Sequence, residues 1–211
     1  MPDETTEKIY YDPISVAQRT PQKLHLVNSS DKREILLHLV KNIDAVHAVV
    51  ITKTKREADA LSVYLNTQEI KSVSVHGSKR AEQNETSVQA FNAADVAVLI
   101  STDIILQSLQ LSNVSHLISY DIPTEPDYYL HRMACLKEQG QAIAFVSEDQ
   151  ESALLDIERV MRHEIEEEEI VGFVPTPESE RTPQATSEKK KKPRHRKKKR
   201  KAASTTDTSK S

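Results

Sequence analysis

Apolar residues fall along this chain in short runs separated by polar segments with helical spacing. Residues 22–27 (QKLHLV) alternate as a short strand, and 47–52 (HAVVIT) read as a strand buried on both faces. Further strands are predicted at 72–77 (SVSVHG), 96–102 (VAVLIST), 115–121 (SHLISYD) and 141–146 (QAIAFV). Ser30-Asp31 is placed to cap a helix over 31–42, with Ile35, Leu36, Leu39 and Val40 on one face. Lys53 to Glu57 opens a second helix that offers Ala58, Leu61, Val63 and Leu65 to the core. A third helix covers 81–93, another 125–138, and a last one runs from Asp149 to 167.

Roughly five core strands alternating with helices over about 140 residues are enough to bury a core. Right-handed crossovers then place helices on both faces of a parallel sheet. The predicted class is α/β, a three-layer, doubly wound parallel sheet. Residues 1–21, with Pro13 and Pro21, lack periodicity and read as an extended lead-in. The domain is expected over 22–171, a Pro/Thr/Ser/Glu-rich linker over 172–187, and a disordered basic tail over 188–211.

Charge sharpens that division. Residues 1–187 carry 17 Lys/Arg against 30 Asp/Glu, while 188–211 carry 12 against 2, and the whole chain nets only −3. An acidic body with a strongly basic tail points to a polyanion partner for the tail. Within EKKKKPRHRKKKRK, 11 of 14 residues are Lys or Arg, too self-repelling to fold alone. A single cysteine, Cys135, excludes an internal disulfide, and the eight histidines show no metal-ligand spacing. No apolar run approaches the length of a membrane span, and the start MPDETTEK lacks a signal-peptide core. The expectation is a cytoplasmic protein with no membrane association.

The stretch 98–132 orders these elements recognisably: VLIST, Asp103, a short helical piece, HLISYDIP and then DYYLHR. With VVITKTKREADAL at 49–61 and SVSVHGSK at 72–79, it resembles the C-terminal RecA-like domain of DEAD-box RNA helicases, most closely the RhlE-like group. The likeness extends over about 10–174, and the basic tail suits that group too. It implies a single RecA-like domain, with Thr52, Thr54, Lys55 and Thr102 as nucleic-acid contacts. Asp103, His131 and Arg132 match positions at the inter-domain cleft and read as relics of that contact.

Departures from the family pattern limit what carries over. Where the family continues motif V through Ala-Arg-Gly-x-Asp, this chain has Leu106-Gln107-Ser108-Leu109-Gln110, without the carboxylate that meets the ribose. After His131-Arg132 the family's further arginines are replaced by MACLKEQ. Such arginines are worth orders of magnitude in phosphoryl transfer. The family's Gln-x-x-Arg falls on Ala81 and Asn84, and no Gly-rich phosphate loop is present among the three glycines. No catalytic residue, metal or cofactor is therefore assigned.

The expected function is RNA binding without ATPase activity of its own, chiefly through Lys189, Lys190, Lys191, Lys192, Arg194, Arg196, Lys197, Lys198, Lys199, Arg200 and Lys201. Counterion release by such a run gives salt-sensitive, sequence-independent binding of roughly micromolar strength. The alternatives are half of a helicase completed in trans, and a regulator that docks on an intact helicase or ribonucleoprotein. A decayed gene copy is a fourth. Three smaller readings concern single features. Cys135 is a small buried thiol, Tyr128 and Tyr129 pack at a helix–sheet boundary, and 164–169 is a solvated helix end.

Overall fold

Strands covered on both faces have no use for alternation, and two strands here are buried at every residue: Ala48–Ile51 and Val98–Ser101. The computed structural model describes residues 12–43 and 47–176, with 137–139 as backbone only. Within them run seven strands: β1 (Gln22–Leu26), β2 (Ala48–Ile51), β3 (Ser72–Val75), β4 (Val98–Ser101), β5 (Val114–Ser119), β6 (Leu136–Val146) and β7 (Glu166–Glu167). They form one sheet in the order β3-β4-β2-β5-β6-β1-β7, with every pair parallel.

The helices are α1 (Pro13–Arg19), α2 (Lys32–Asn42), α3 (Lys55–Thr67), α4 (Ala81–Asn92), α5 (Asp103–Leu106), α6 (Pro126–Met133) and α7 (Glu151–Met161). One face of the sheet, with Val49, Ile51, Leu99 and Leu117, packs on Ala17 of α1, Phe91 of α4, Tyr129 of α6 and Leu154 of α7. The opposite face, with Ala48, Val50, Ile100 and Ile118, packs on Leu36 of α2 and Ala58, Leu61 and Leu65 of α3. Neighbouring residues of one strand thus serve two separate cores. The three-layer, doubly wound α/β expectation holds.

Several local expectations change. Residues 13–19 are helical rather than extended. Asp12 caps α1 by accepting from the Ile14 N–H, and Pro13 sits where its fixed φ suits a first turn. Seven residues are too few to show a period, so packing holds this helix. Ala17 is fully buried, and Gln18 donates to the Met161 carbonyl at 2.7 Å. The helix expected over 125–138 stops at Met133. A turn at Ala134 and Cys135 leads straight into β6, whose Leu136 pairs with Val114. Asp31 does not cap α2 with its side chain; that carboxylate is buried and accepts from Thr176 N and Ser30 Oγ.

The last helix ends at Met161, where Arg162 takes a left-handed conformation. Beyond it the glutamates of β7 pair with Lys23 and Leu24 of β1, so this segment is a sheet edge rather than a helix end. Strand pairing uses only backbone groups, so a run of glutamates does not forbid it. The linker from residue 177 on and the tail at 188–211 lie outside the described residues.

Val63 is 65% exposed. Ala58, Leu61 and Leu65 follow the 3- and 4-residue spacing of one face, and Val63 falls off it. Leu65→Ala is expected to cost about 2–5 kcal/mol of stability, whereas Val63→Ala stays within about 0.5 kcal/mol. Urea unfolding of the two variants measures the contrast.

Candidate nucleic-acid interface

In an open parallel sheet the loops at the carboxyl ends of the strands meet on one rim, and ligands bind there. Here the rim is made by Thr52–Thr54 after β2, His76–Arg80 after β3, Thr102 after β4, Asp121–Glu125 after β5 and Ser147–Gln150 after β6.

Thr52 is fully buried. Its hydroxyl donates to the Thr54 carbonyl at 3.1 Å, and its N–H bonds the Ser101 carbonyl at 3.0 Å. This corrects its expected role. Thr52 ties the β2 and β4 ends together and presents nothing to a ligand. Thr54 is exposed and caps α3, accepting from the Glu57 N–H at 3.2 Å. Lys55, also exposed, donates to the Ser78 hydroxyl and so joins the β2 and β3 loops.

The β3 loop is held from beneath. Asn84 accepts from His76 N at 3.3 Å and donates to His76 O at 3.1 Å. The position where the resemblance would put an RNA-contacting arginine therefore serves as a clamp. His76 is buried, and its Nδ1 accepts from the Ser78 N–H, which leaves Nε2–H to donate to Asp59 at 3.0 Å. Burial works against charge on Asp59. Hydrogen bonds from Ser74 and His76, with the charge of Lys79, outweigh it and hold the carboxyl below its usual range. Lys79 donates to the Ser74 carbonyl at 2.7 Å. Exposed Lys53, Lys55, Arg56 and Arg80, with half-buried Lys79, thus line one side of the rim.

The other side is a cleft of about 350 Å³, lined by Lys53, Thr102, Asp103, Ile104, Tyr128, Arg132 and Gln150 among others. The Thr102 hydroxyl makes no capping bond; the α5 turn is closed by its carbonyl, which accepts from Ile105 and Leu106. Arg132 is not a surface residue. Only 1% exposed, it reaches Asp103 through Nε at 2.6 Å and Nη2 at 2.7 Å, and donates from Nη1 to the Asp121 carbonyl at 2.8 Å. This two-pronged geometry is one that lysine cannot reproduce. His131, its sequence neighbour, points elsewhere and lines a small hollow beside Pro13 and Val16. The expected relic group therefore divides: Asp103 and Arg132 form one unit, and His131 is separate from it.

Asp121 joins the loops from below. Its Oδ1 pairs with Lys32 Nζ at 2.8 Å, and its Oδ2 accepts from Lys53 N at 3.2 Å. Lys32 also donates to Gln150 at 3.0 Å and lies 5.6 Å from the centre of the Tyr120 ring. Burial opposes charge on Asp121, but the Lys32 ammonium and the hydrogen bonds from Lys32, Lys53 and Glu57 keep its carboxyl low. Glu57 moves the other way. Burial first, and then the Asp121 charge and hydrogen bond, push it up to about 7.

Sequence reasoning missed Lys32, Glu57, Asp121, Lys53, Lys79 and Arg80. Lys32 did carry one signal. A lysine in the first turn of a helix opposes the helix dipole and calls for a nearby anion.

The remaining expectations fall at other positions. Tyr129 is buried, donating to Gln22 Oε1 at 2.9 Å, and Tyr128 lines the cleft. Cys135 donates to the Arg132 carbonyl, and burial pushes its thiol up to about 12, so it is an inert packing group. Gln110 lies outside the cleft; its carbonyl accepts from Asn92, and it lines a groove against α4. Among the described residues there is no cluster of metal-ligating side chains and no helix long and apolar enough to cross a membrane. The eleven basic tail residues from Lys189 to Lys201 lie outside the described residues.

Comparison with known proteins agrees with this fold. Residues 31–134 match the helicase conserved C-terminal domain. The DEAD-box ATP-dependent RNA helicase RhpA of Helicobacter pylori is 29% identical over 167 residues, covering 77% of this chain and 34% of RhpA. The chain thus spans about a third of the length of the curated relatives it matches. The solved DEAD box protein of the hyperthermophile Methanococcus jannaschii superposes with a TM-score of 0.68 at 26% identity, covering 72% of this chain and 43% of that one. The Escherichia coli DEAD-box protein SrmB, solved bound to regulator of ribonuclease activity A, gives 0.69 at 22% identity, covering 78% and 97%. The fold is RecA-like, as in DEAD-box C-terminal domains.

Removing one partner of a buried, two-pronged ion pair strands the other. Asp103→Leu is expected to cost about 3–5 kcal/mol. Arg132→Met combined with Asp103→Leu should cost less than the sum of the single changes. Denaturant unfolding of the four-member cycle tests both statements.

Proposed function

We propose that this chain binds RNA through two basic surfaces, with no ATP turnover from its own residues. One is the domain rim carrying Lys53, Lys55, Arg56, Lys79 and Arg80; the other is the tail at 188–211. The observation that carries this reading is the basic rim on a helicase C-terminal fold. Two strand-end loops, those after β2 and β3, carry exposed cations and are bridged by the Lys55–Ser78 hydrogen bond. Phosphates spaced along a single strand are met by such an array without any reading of sequence. Thr54 and Thr102 add hydroxyls beside it.

The absence of ATP turnover is supported by Arg132 and the segment after it. Arg132 spends its guanidinium on Asp103 and the Asp121 carbonyl. Residues 133–139, which run into the start of β6, supply no further guanidinium. Gln110 brings no carboxylate to the cleft. The RhlE-like assignment rests on the order of the motifs and on the basic tail, and a cytoplasmic location goes with it.

A second reading is favoured by Ile104. At 75% exposure, it stands in the cleft beside Tyr128 and Pro123 as an apolar contact that another protein would cover. A separate helicase domain, or a protein of a ribonucleoprotein, would seat there. Ile104→Asp is expected to abolish such docking and leave RNA affinity unchanged, as measured by pull-down with and without nuclease.

RNA binding measured against salt tests the main reading. Removing 188–211 is expected to take most of the affinity. Lys53→Ala, Lys55→Ala, Lys79→Ala and Arg80→Ala together should reduce the log–log salt slope of the full chain by roughly 2 to 3. Added ATP should change neither quantity. Equal affinity of the shortened chain at moderate salt would overturn the proposal.

A further inference from the structure

We infer that the cavity at the carboxyl end of β1 binds a linear alkyl polyamine, with Asp31 and His25 receiving one ammonium and the glutamates at 167–169 the next. The inference goes beyond RNA binding and does not rest on it. In the sheet, β5 and β6 stand between β1 and β2, so this cavity is separate from the basic loops after β2 and β3.

The cavity encloses about 340 Å³, a volume suited to a small molecule. Its apolar walls are Leu26 and Val27 from the end of β1, Ile35 of α2, and Ile170, Phe173 and Pro175 from the segment after β7. That segment is fastened to α2. His38 Nε2 bonds the Val171 carbonyl at 2.9 Å, and the Phe173 ring stands edge-on to His38 at 6.0 Å. Gly172, at φ +80°, makes the turn between exposed Val171 and Phe173, which packs on the core.

Every charged group lining the cavity is a carboxylate, and one of them is buried. Asp31 is 3% exposed, and its carboxylate accepts only from neutral donors, Ser30 Oγ and Thr176 N, each at 3.3 Å. No cation pairs with it among the described residues; its neighbour Lys32 is spent on Asp121. The α2 dipole eases that negative charge. A carboxylate buried without a counter-cation is still costly, and a cationic ligand would relieve it.

His25 points to a ligand independently of the acidic residues. The residue is 4% exposed, and its Nδ1 lies 2.6 Å from the Glu168 carbonyl, which can only accept. The hydrogen of the neutral ring is therefore on Nδ1, and Nε2 presents a lone pair. Nε2 has no protein partner. Among the described residues, the side-chain atoms both unpartnered and sealed from solvent are His47 Nε2 and Ser119 Oγ. His25 Nε2 is thus open, and it opens on the cavity that the ring lines.

Glu167, Glu168 and Glu169 stand exposed on the same cavity. Lys23 neutralises one of them, pairing with Glu168 at 2.7 Å, which leaves the mouth acidic. This charge repels an anion. A metal ion would lack a ligand set, since among the described residues no three His, Cys, Asp or Glu side chains come together. What fits is an alternation of cationic and apolar parts. An ammonium carries three N–H donors, enough for Asp31, His25 Nε2 and the Asn28 amide oxygen. A methylene run beside it covers Leu26, Ile35 and Phe173, and a further ammonium reaches the glutamates. Polyamines have this pattern.

The test is isothermal titration calorimetry of the full chain with spermidine, at moderate salt and without RNA, which would itself collect polyamine. One spermidine is expected per chain, and butylamine, with a single ammonium, should bind about tenfold more weakly. Asp31→Asn should weaken spermidine binding by about tenfold or more, the scale of a lost hydrogen bond to a charged group. Glu82→Gln, which removes an exposed carboxylate on α4, should leave the affinity within about twofold. Leu26→Trp, at a position 44% exposed, should block the cavity without entering the core, and it decides should Asp31→Asn fail to fold. No binding of spermidine, a loss in Glu82→Gln equal to that in Asp31→Asn, or binding untouched by Leu26→Trp would overturn the inference. Nα-acetyl-lysine methylamide presents the same chemistry as a protein side chain. If it matches spermidine, the cavity takes a partner's lysine and the polyamine assignment fails.

Discussion

A guanidinium 1% exposed to solvent is tolerable only if its charge and its N–H groups are met, and Arg132 shows how the strand-end rim answers that demand. It comes from α6, yet it closes on Asp103 at the end of β4 and on the backbone of Asp121 at the end of β5. The start of α5, the loop after β5 and α6 thus meet in a single planar group. The bond directions of a guanidinium are fixed, so the relative position of the two strand ends is fixed with them. The loops on the rim can vary in sequence only around this point.

Asp121 extends the same logic across the sheet. Its carbonyl belongs to the Arg132 network on one face, and its carboxylate to Lys32 of α2 on the other. α2 and α6 lie on opposite sides of the sheet and share no core, since their buried residues fall into separate clusters. The polar contacts of one aspartate therefore couple what the hydrophobic packing leaves separate. The rim depends on charge balance as well as on the scaffold. The buried ammonium of Lys32 and the raised carboxyl of Glu57 are two sides of that dependence.

Periodicity revealed the architecture because the physical cause is local. Strands such as VAVLI lie between two helical layers and must be apolar throughout, so they announce themselves. Elements that depend on distant packing were hidden. α1 is seven residues held by Gln18, Gln22 and Tyr129, all bonded across the chain. β7 is two glutamates, recognisable only through their register with Lys23 and Leu24. Family likeness brought Thr54, Thr102, Asp103 and Arg132 to notice but could not tell that Thr52 and Arg132 are buried, because a motif fixes position and not exposure. Asn84 was visible as a lost arginine; that it clamps His76 required the fold.

The distinction between a binding rim and a reactive one comes down to where the polar groups are directed. A site that stabilises charge developing in a reaction keeps its donors aimed at an open position, unspent until substrate arrives. Here several donors at the cleft and beneath it are spent. Arg132 is committed to Asp103, Lys32 to Asp121 and Gln150, and the Thr52 hydroxyl to backbone carbonyls. The cations left outward, Lys53, Arg56 and Arg80, stand on loops or a helix start where long, solvated side chains can track a flexible polyanion. Such groups supply attraction without a fixed geometry, which suits sequence-independent holding of a strand and does nothing for in-line phosphoryl transfer. These internal commitments support the proposed reading of the rim as a surface for binding.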